Sequence, residues 1–156
     1  LELLKRSNDN EKLRLTAVQS LSCWGAEVPE AIVTHCLHHP GQNFRLAGLQ
    51  LLEFRSHLLT DHQLLDYCNE ALNDFRDSVV IAAVRIIQRR DSKEICKRLF
   101  RLCQEDSDEV AFTALRALSC IASENSKRYL LKLSKTLKSE SRRLLAQKKL
   151  NEQFRS

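Results

Sequence analysis

The densest collection of metal-binding side chains in this 156-residue chain is His35-Cys36-Leu37-His38-His39. On a helix His35, His38 and His39 fall at i, i+3 and i+4, so two of them could share one ion. No second ligand group stands at a recognised spacing, and Cys36 belongs to an apolar stripe. The competing reading is a helix C-terminus, where histidine complements the backbone dipole. Asp61, His62 and Asp66 form a second cluster, which could make an acid–base pair with His35 across a groove. No nucleophile elbow or oxyanion motif accompanies them, and a charged groove explains the same residues. Three glycines cannot build a phosphate loop or a dinucleotide fingerprint. Trp24 falls at an apolar position of the helical pattern described below and reads as core, not as a platform for stacking bases. The balance is against catalysis: no enzyme activity, no metal and no cofactor is expected.

The elements that would position these residues are helices. The chain has 3 Gly and 2 Pro, 43% hydrophobic and 29% charged residues. A barrel or sandwich needs many more turn residues, whereas leucine-rich amphipathic segments suit an all-α domain. No run of eighteen apolar residues spans a membrane, and no signal peptide opens the chain. Absence of Met, with Leu1 in an apolar run, suggests a piece of a longer protein. Cys23, Cys36, Cys68, Cys96, Cys103 and Cys120 are widely spaced and mostly at apolar helical positions, where free Cys acts as a small hydrophobe. They read as reduced thiols, which points to a cytoplasmic location.

Five segments share one register. They begin at Leu13, Phe44, Val79, Val110 and Arg142, and each places a small residue fifth: Ala17, Gly48, Ala83, Ala114 and Ala146. The separations of those residues are 31, 35, 31 and 32. A helix crossing a neighbour at close range needs little side chain at the contact point. Counted from the small residue, sites +16, +19 and +20 are apolar in nearly every copy: Val33, Cys36 and Leu37; Leu64, Tyr67 and Cys68; Leu99, Leu102 and Cys103; Leu130, Leu133 and Ser134. These sites predict a second helix after each of the first four. The extra residues of the second copy lie near Asn73 to Ser78. Pro29 is placed to start a helix, Pro40-Gly41 to end one, and Asp61, Ser92 and Ser123 or Asn125 to cap others. First helices are predicted to start near residues 10, 42, 77, 108 and 140.

Asp9-Asn10-Glu11-Lys12-Leu13-Arg14 through Ser20-Leu21 and Gly25, and Asp106-Ser107-Asp108-Glu109-Val110 through Ala114 and Ala117-Leu118, resemble the HEAT-repeat family. The resemblance covers about residues 8 to 150, with Val80 and Ala111 replacing the usual Arg in the third and fourth copies. It implies an all-α superhelix, an α-solenoid of about five antiparallel helix pairs. The expected organisation is one domain over 1–156, with repeats at about 8–41, 42–75, 76–106, 107–139 and a partial 140–156. It also implies a binding scaffold more often than an enzyme. The helical DNA glycosylases built from such repeats need an exposed aromatic and an acid beside a basic groove, and no convincing set is present.

In such solenoids the second helices usually line the concave surface. Site +14 reads Ala31, His62, Lys97 and Arg128; site +18 reads His35, Asp66, Arg101 and Lys132; site +21 reads His38, Asn69, Gln104 and Lys135. The inner face thus changes from His, Asp and Asn to Lys and Arg. Residues 127–156 hold ten Lys or Arg against Glu140 and Glu152, a net +8, while 1–126 are net −3. A polar end cap explains this, and so does a surface for an anionic partner. Two functions follow: a protein-interaction scaffold taking an acidic partner segment, or a nucleic-acid binder using the basic half. The expected contact residues are Lys97, Arg101, Arg128, Lys132, Lys135, His35, His62 and Asp66.

Overall fold

A computed structural model describes residues 11–20 and 28–153. Among them are nine α-helices and no strand. They are α1 (Glu11–Ser20), α2 (Glu30–Leu37), α3 (Gln42–Arg55), α4 (Asp61–Leu72), α5 (Asp77–Ile87), α6 (Lys93–Leu102), α7 (Asp108–Ile121), α8 (Glu124–Thr136) and α9 (Glu140–Gln153). The first helices therefore begin at Glu11, Gln42, Asp77, Asp108 and Glu140, within one residue of the predicted starts. Trp24, Cys23, Gly25 and the opening Leu1–Arg6 lie outside the described residues.

The chain divides into two compact units, residues 1–79 and 80–156, with the division inside α5. In the first unit α3 packs against α1 and α2, and α2 against α4. In the second, α7 packs against α6, α8 and α9, α9 also against α8, and α6 against α8. Within each unit, alternate helices are neighbours, which is the arrangement that stacked helix pairs require.

All five small residues of the register are buried. Gly48 shows why: a Cβ added there would lie 2.9 Å from the Cys36 Cβ and 3.0 Å from the Leu37 backbone nitrogen. The backbone of α3 thus meets the end of α2 with no room for a methyl group. The second-helix sites also hold, with Val33, Cys36, Leu37, Leu64, Cys68, Leu99, Leu102, Cys103, Leu130, Leu133 and Ser134 all buried. Tyr67 is only half-buried, because its hydroxyl turns outward to donate to Glu30 Oε1.

The helix ends correct part of the sequence reading. Thr60, not Asp61, caps α4. Its hydroxyl accepts from the Gln63 N–H, and the Gln63 side chain accepts from the Thr60 N–H. Asp61 is then the first helical residue, where an acid still complements the dipole. Ser123 caps α8 with Ser126 as its reciprocal partner. Ser92 occupies the cap position of α6 without a side-chain bond. α7 ends on Ala122 in the left-handed region, at φ 52°.

Two buried arginines hold the turns between repeats. Arg45 donates to the Asp74 carboxylate and, through Nη1, to the carbonyls of His39 and Pro40. Arg142 donates to Asp108 Oδ1 and to the carbonyls of Cys103, Glu105 and Asp106. The turn before α3 is thus clamped from α3 itself. The turn before α7 cannot be, because Ala111 stands where Arg45 stands in α3. Arg142 supplies the missing guanidinium from α9.

Candidate functional site

The second-helix positions +14, +18 and +21 are exposed in all four copies. In the second unit this brings Lys97 and Arg101 of α6 beside Arg128, Lys132 and Lys135 of α8, since these two helices are packed neighbours. Among the described residues none of the five pairs with a carboxylate. The charge of one of them is felt by a neighbour outside the set. Burial holds the Arg98 guanidinium below its ordinary pKa, and the adjacent Arg101 charge lowers it further.

An aromatic pair lies on the seam between the same helices. Phe100 of α6 and Tyr129 of α8 are half-buried, with ring centroids 4.9 Å apart. The Lys132 ammonium sits 5.3 Å from the Phe100 centroid, in cation–π range. The pair occupies sites +17 and +15 of successive copies, a pairing rule that apolar counting at +16, +19 and +20 overlooks.

In the first unit the expected contact residues are engaged inside the chain. His35 Nε2 lies 2.9 Å from an Arg14 nitrogen. Arginine only donates, so Nε2 is the acceptor. Asp66 pairs with His62 at 3.4 Å, one turn earlier on the same helix. The suggested His35–Asp66 acid–base pair does not form, because each residue has a nearer partner.

Of the clustered histidines, His35 and His39 stay together, with ring centroids 6.0 Å apart edge to face, but their polar partners differ. His38 Nδ1 meets Glu70. His39 Nδ1 accepts from the Gly41 N–H at 2.8 Å while its ring stacks on Phe44. Each of the three histidines thus has its own polar partner. Among the described residues no three His, Cys, Asp or Glu side chains converge on one point.

The described cysteines are free, with Cys36, Cys68, Cys96 and Cys103 buried and Cys120 exposed. Burial pushes the Cys36 thiol up to about 11 and that of Cys68 to about 12. It raises Cys96 and Cys103 as well, against a smaller opposing pull from Arg142 on Cys103. These are inert core side chains, since reactivity needs the thiolate.

A family model for HEAT repeats matches residues 64–151, more than half of the chain. The chain belongs to the HEAT-repeat family. Its fold class is accordingly the all-α helical repeat of the α-solenoids, and HEAT repeats commonly serve protein–protein interaction. Such helical repeats are typically non-enzymatic. No curated protein matches the chain. No helix among the described residues of this HEAT protein is long and apolar enough to cross a membrane.

Proposed function

We propose that this chain is a non-catalytic cytoplasmic interaction scaffold that takes an acidic segment of a partner protein on the exposed face of α6 and α8. The observation that carries the reading is the set Lys97, Arg101, Arg128, Lys132 and Lys135. These five exposed cations lie on adjacent helices, and none is neutralised by a carboxylate among the described residues. Like charges on neighbouring helices repel by tenths of a kcal/mol per exposed pair. A carboxylate-rich ligand relieves that repulsion and gains charge-assisted hydrogen bonds. His35, His62 and Asp66 hold the corresponding sites of the first unit, where they already pair within the chain, so the basic set of the second unit is the main contact surface.

Nucleic acid is the alternative ligand for the same basic face, and the nearby Phe100 and Tyr129 give it some support. These rings pack against each other at a tilt, and Phe100 also meets Lys132, so they are engaged within the protein, which favours the acidic segment. Arg101→Glu combined with Lys132→Glu tests the reading. The melting temperature should stay within a few degrees, because only the Lys132–Phe100 contact, about 0.5–1 kcal/mol, is lost. Affinity for a Glu/Asp-rich peptide should fall about tenfold or more. Unchanged peptide affinity would make the basic face a solvated surface. Tight binding to single-stranded RNA of unrelated sequences, lost steeply with salt, would favour the alternative.

A further inference from the structure

We propose that the first unit carries a self-association site, in which Phe75 and Arg76 of one copy insert into the cleft between α2 and α4 of a second copy. This uses neither α6 nor α8 and goes beyond the acidic-segment reading.

Phe75 is 78% exposed, more than any other large apolar side chain described. It stands in the α4–α5 connection, where the repeat spacing lengthens to 35. A single exposed apolar residue is ordinary, but the backbone next to this one is hydrogen-bonded in place. Asp74 on one side is fixed by Arg45 and accepts the Arg76 N–H at 2.9 Å. On the other side the Arg76 carbonyl accepts from Val79. The guanidinium groups of Arg45 and Arg76 lie 5.5 and 5.1 Å from the ring centroid. An aromatic–cation knob on a hydrogen-bonded turn has less backbone entropy to lose on docking.

The α2–α4 cleft, about 560 Å³, complements that knob. Leu37, Leu59 and Tyr67 give it apolar surface, and Glu30, Asp66 and Glu70 give it carboxylates. Those acids bond to a tyrosine hydroxyl and to imidazoles. The cleft's arginine, Arg55, has a guanidinium nitrogen committed to the Val28 carbonyl at 2.6 Å. An incoming Arg76 therefore finds carboxylates in excess, and Phe75 finds apolar surface. Knob and cleft both belong to the first unit, so two copies can exchange them reciprocally about a two-fold axis. Two inserted phenylalanines bury roughly 150–250 Å² each, together about a third of the ~1,200 Å² of a stable interface. The association is therefore weak and concentration-dependent.

Sedimentation equilibrium of the full chain over rising concentration tests this. The weight-average mass should climb from 18.0 kDa toward twice that value. Phe75→Ser, Arg76→Glu and Glu70→Lys should each weaken dimerisation about tenfold or more, with melting temperatures near the parent's. Arg76→Glu and Glu70→Lys together in one chain should restore it. A parent chain that stays monomeric throughout would overturn the proposal. So would a Phe75→Ser chain that dimerises as well as the parent, whatever the fate of the basic face on α6 and α8.

Discussion

Arg45 and Asp74 stand 29 residues apart in sequence and meet through two hydrogen bonds, Nε to Oδ2 at 2.7 Å and Nη2 to Oδ1 at 3.2 Å. Both side chains are about nine-tenths buried. Removing one partner leaves the other charged and desolvated, a loss of about 3–5 kcal/mol. Asp74→Asn and Arg45→Met should each lower the unfolding free energy by that amount, read in urea as a lower midpoint at unchanged slope.

Arg142 should behave differently from its own partner. Asp108 is 68% exposed, so water replaces it and Asp108→Asn should cost no more than about 1 kcal/mol. Arg142→Met also strips three carbonyls of their donor; the Cys103 contact is buried, and an unsatisfied buried acceptor costs about 1–3 kcal/mol. Urea unfolding of the two variants should show Arg142→Met several-fold more damaging. Equal losses would mean the carboxylate, not the carbonyls, is what Arg142 holds.

Gly48→Ala sets helix propensity against packing. Alanine gains about 1 kcal/mol in a helix interior, while overpacking costs about 1–3 kcal/mol. The obstructing atoms are the Cys36 Cβ and backbone atoms of Cys36 and Leu37, which cannot swing aside. Packing should win by about 1 kcal/mol, a fall of about 2–4 °C in melting temperature. A rise would show that α2 shifts easily.

The buried thiols make stability depend on alkaline pH. Their folded-state values are raised above the ordinary 9.0, to about 11 at Cys36 and about 12 at Cys68. The folded chain keeps protons that the unfolded chain loses, so this contribution is full below about pH 9 and disappears as pH climbs toward 11–12. Each thiol adds at most about 1.4 kcal/mol per pH unit in that window. Thermal melts at pH 8 and 10.5 should show the fall, with a shallower slope for Cys68→Ala. In the native state a thiol reagent should modify Cys120 ahead of the four buried cysteines.

Much of the fold is legible in the sequence because packing repeats with the register. Ala17, Gly48, Ala83, Ala114 and Ala146 could be aligned by eye, and their burial follows from one recurring helix crossing. The clamps are harder to read. Arg45 looks like a family signature residue and Arg142 like part of a basic tail; neither type is usually buried. What buries them is the partner brought by the turn between repeats, Asp74 or the carbonyls before α7, which no helical period reveals. The exposed sites +14, +18 and +21 were readable for the same reason as the core. Pairing among them was not, since His35 engages Arg14 and Asp66 engages His62 through rotamer choices that spacing does not fix. Phe75 escaped notice because it lies in the connection, where the register is interrupted.

The borrowed guanidinium of Arg142 also sets a clock on synthesis. Asp108 and Arg142 are 34 residues apart, and ribosomes add about 5–20 residues per second. The carbonyls of Cys103, Glu105 and Asp106 precede Arg142 by 39, 37 and 36 residues and so emerge roughly 2–8 s ahead of the only described side chain that bonds them, whereas Arg45 follows the His39 carbonyl by just 6 residues. A nascent chain would complete the turn before α3 almost at once and leave the turn before α7 wet and open, in reach of chaperones, until α9 arrives.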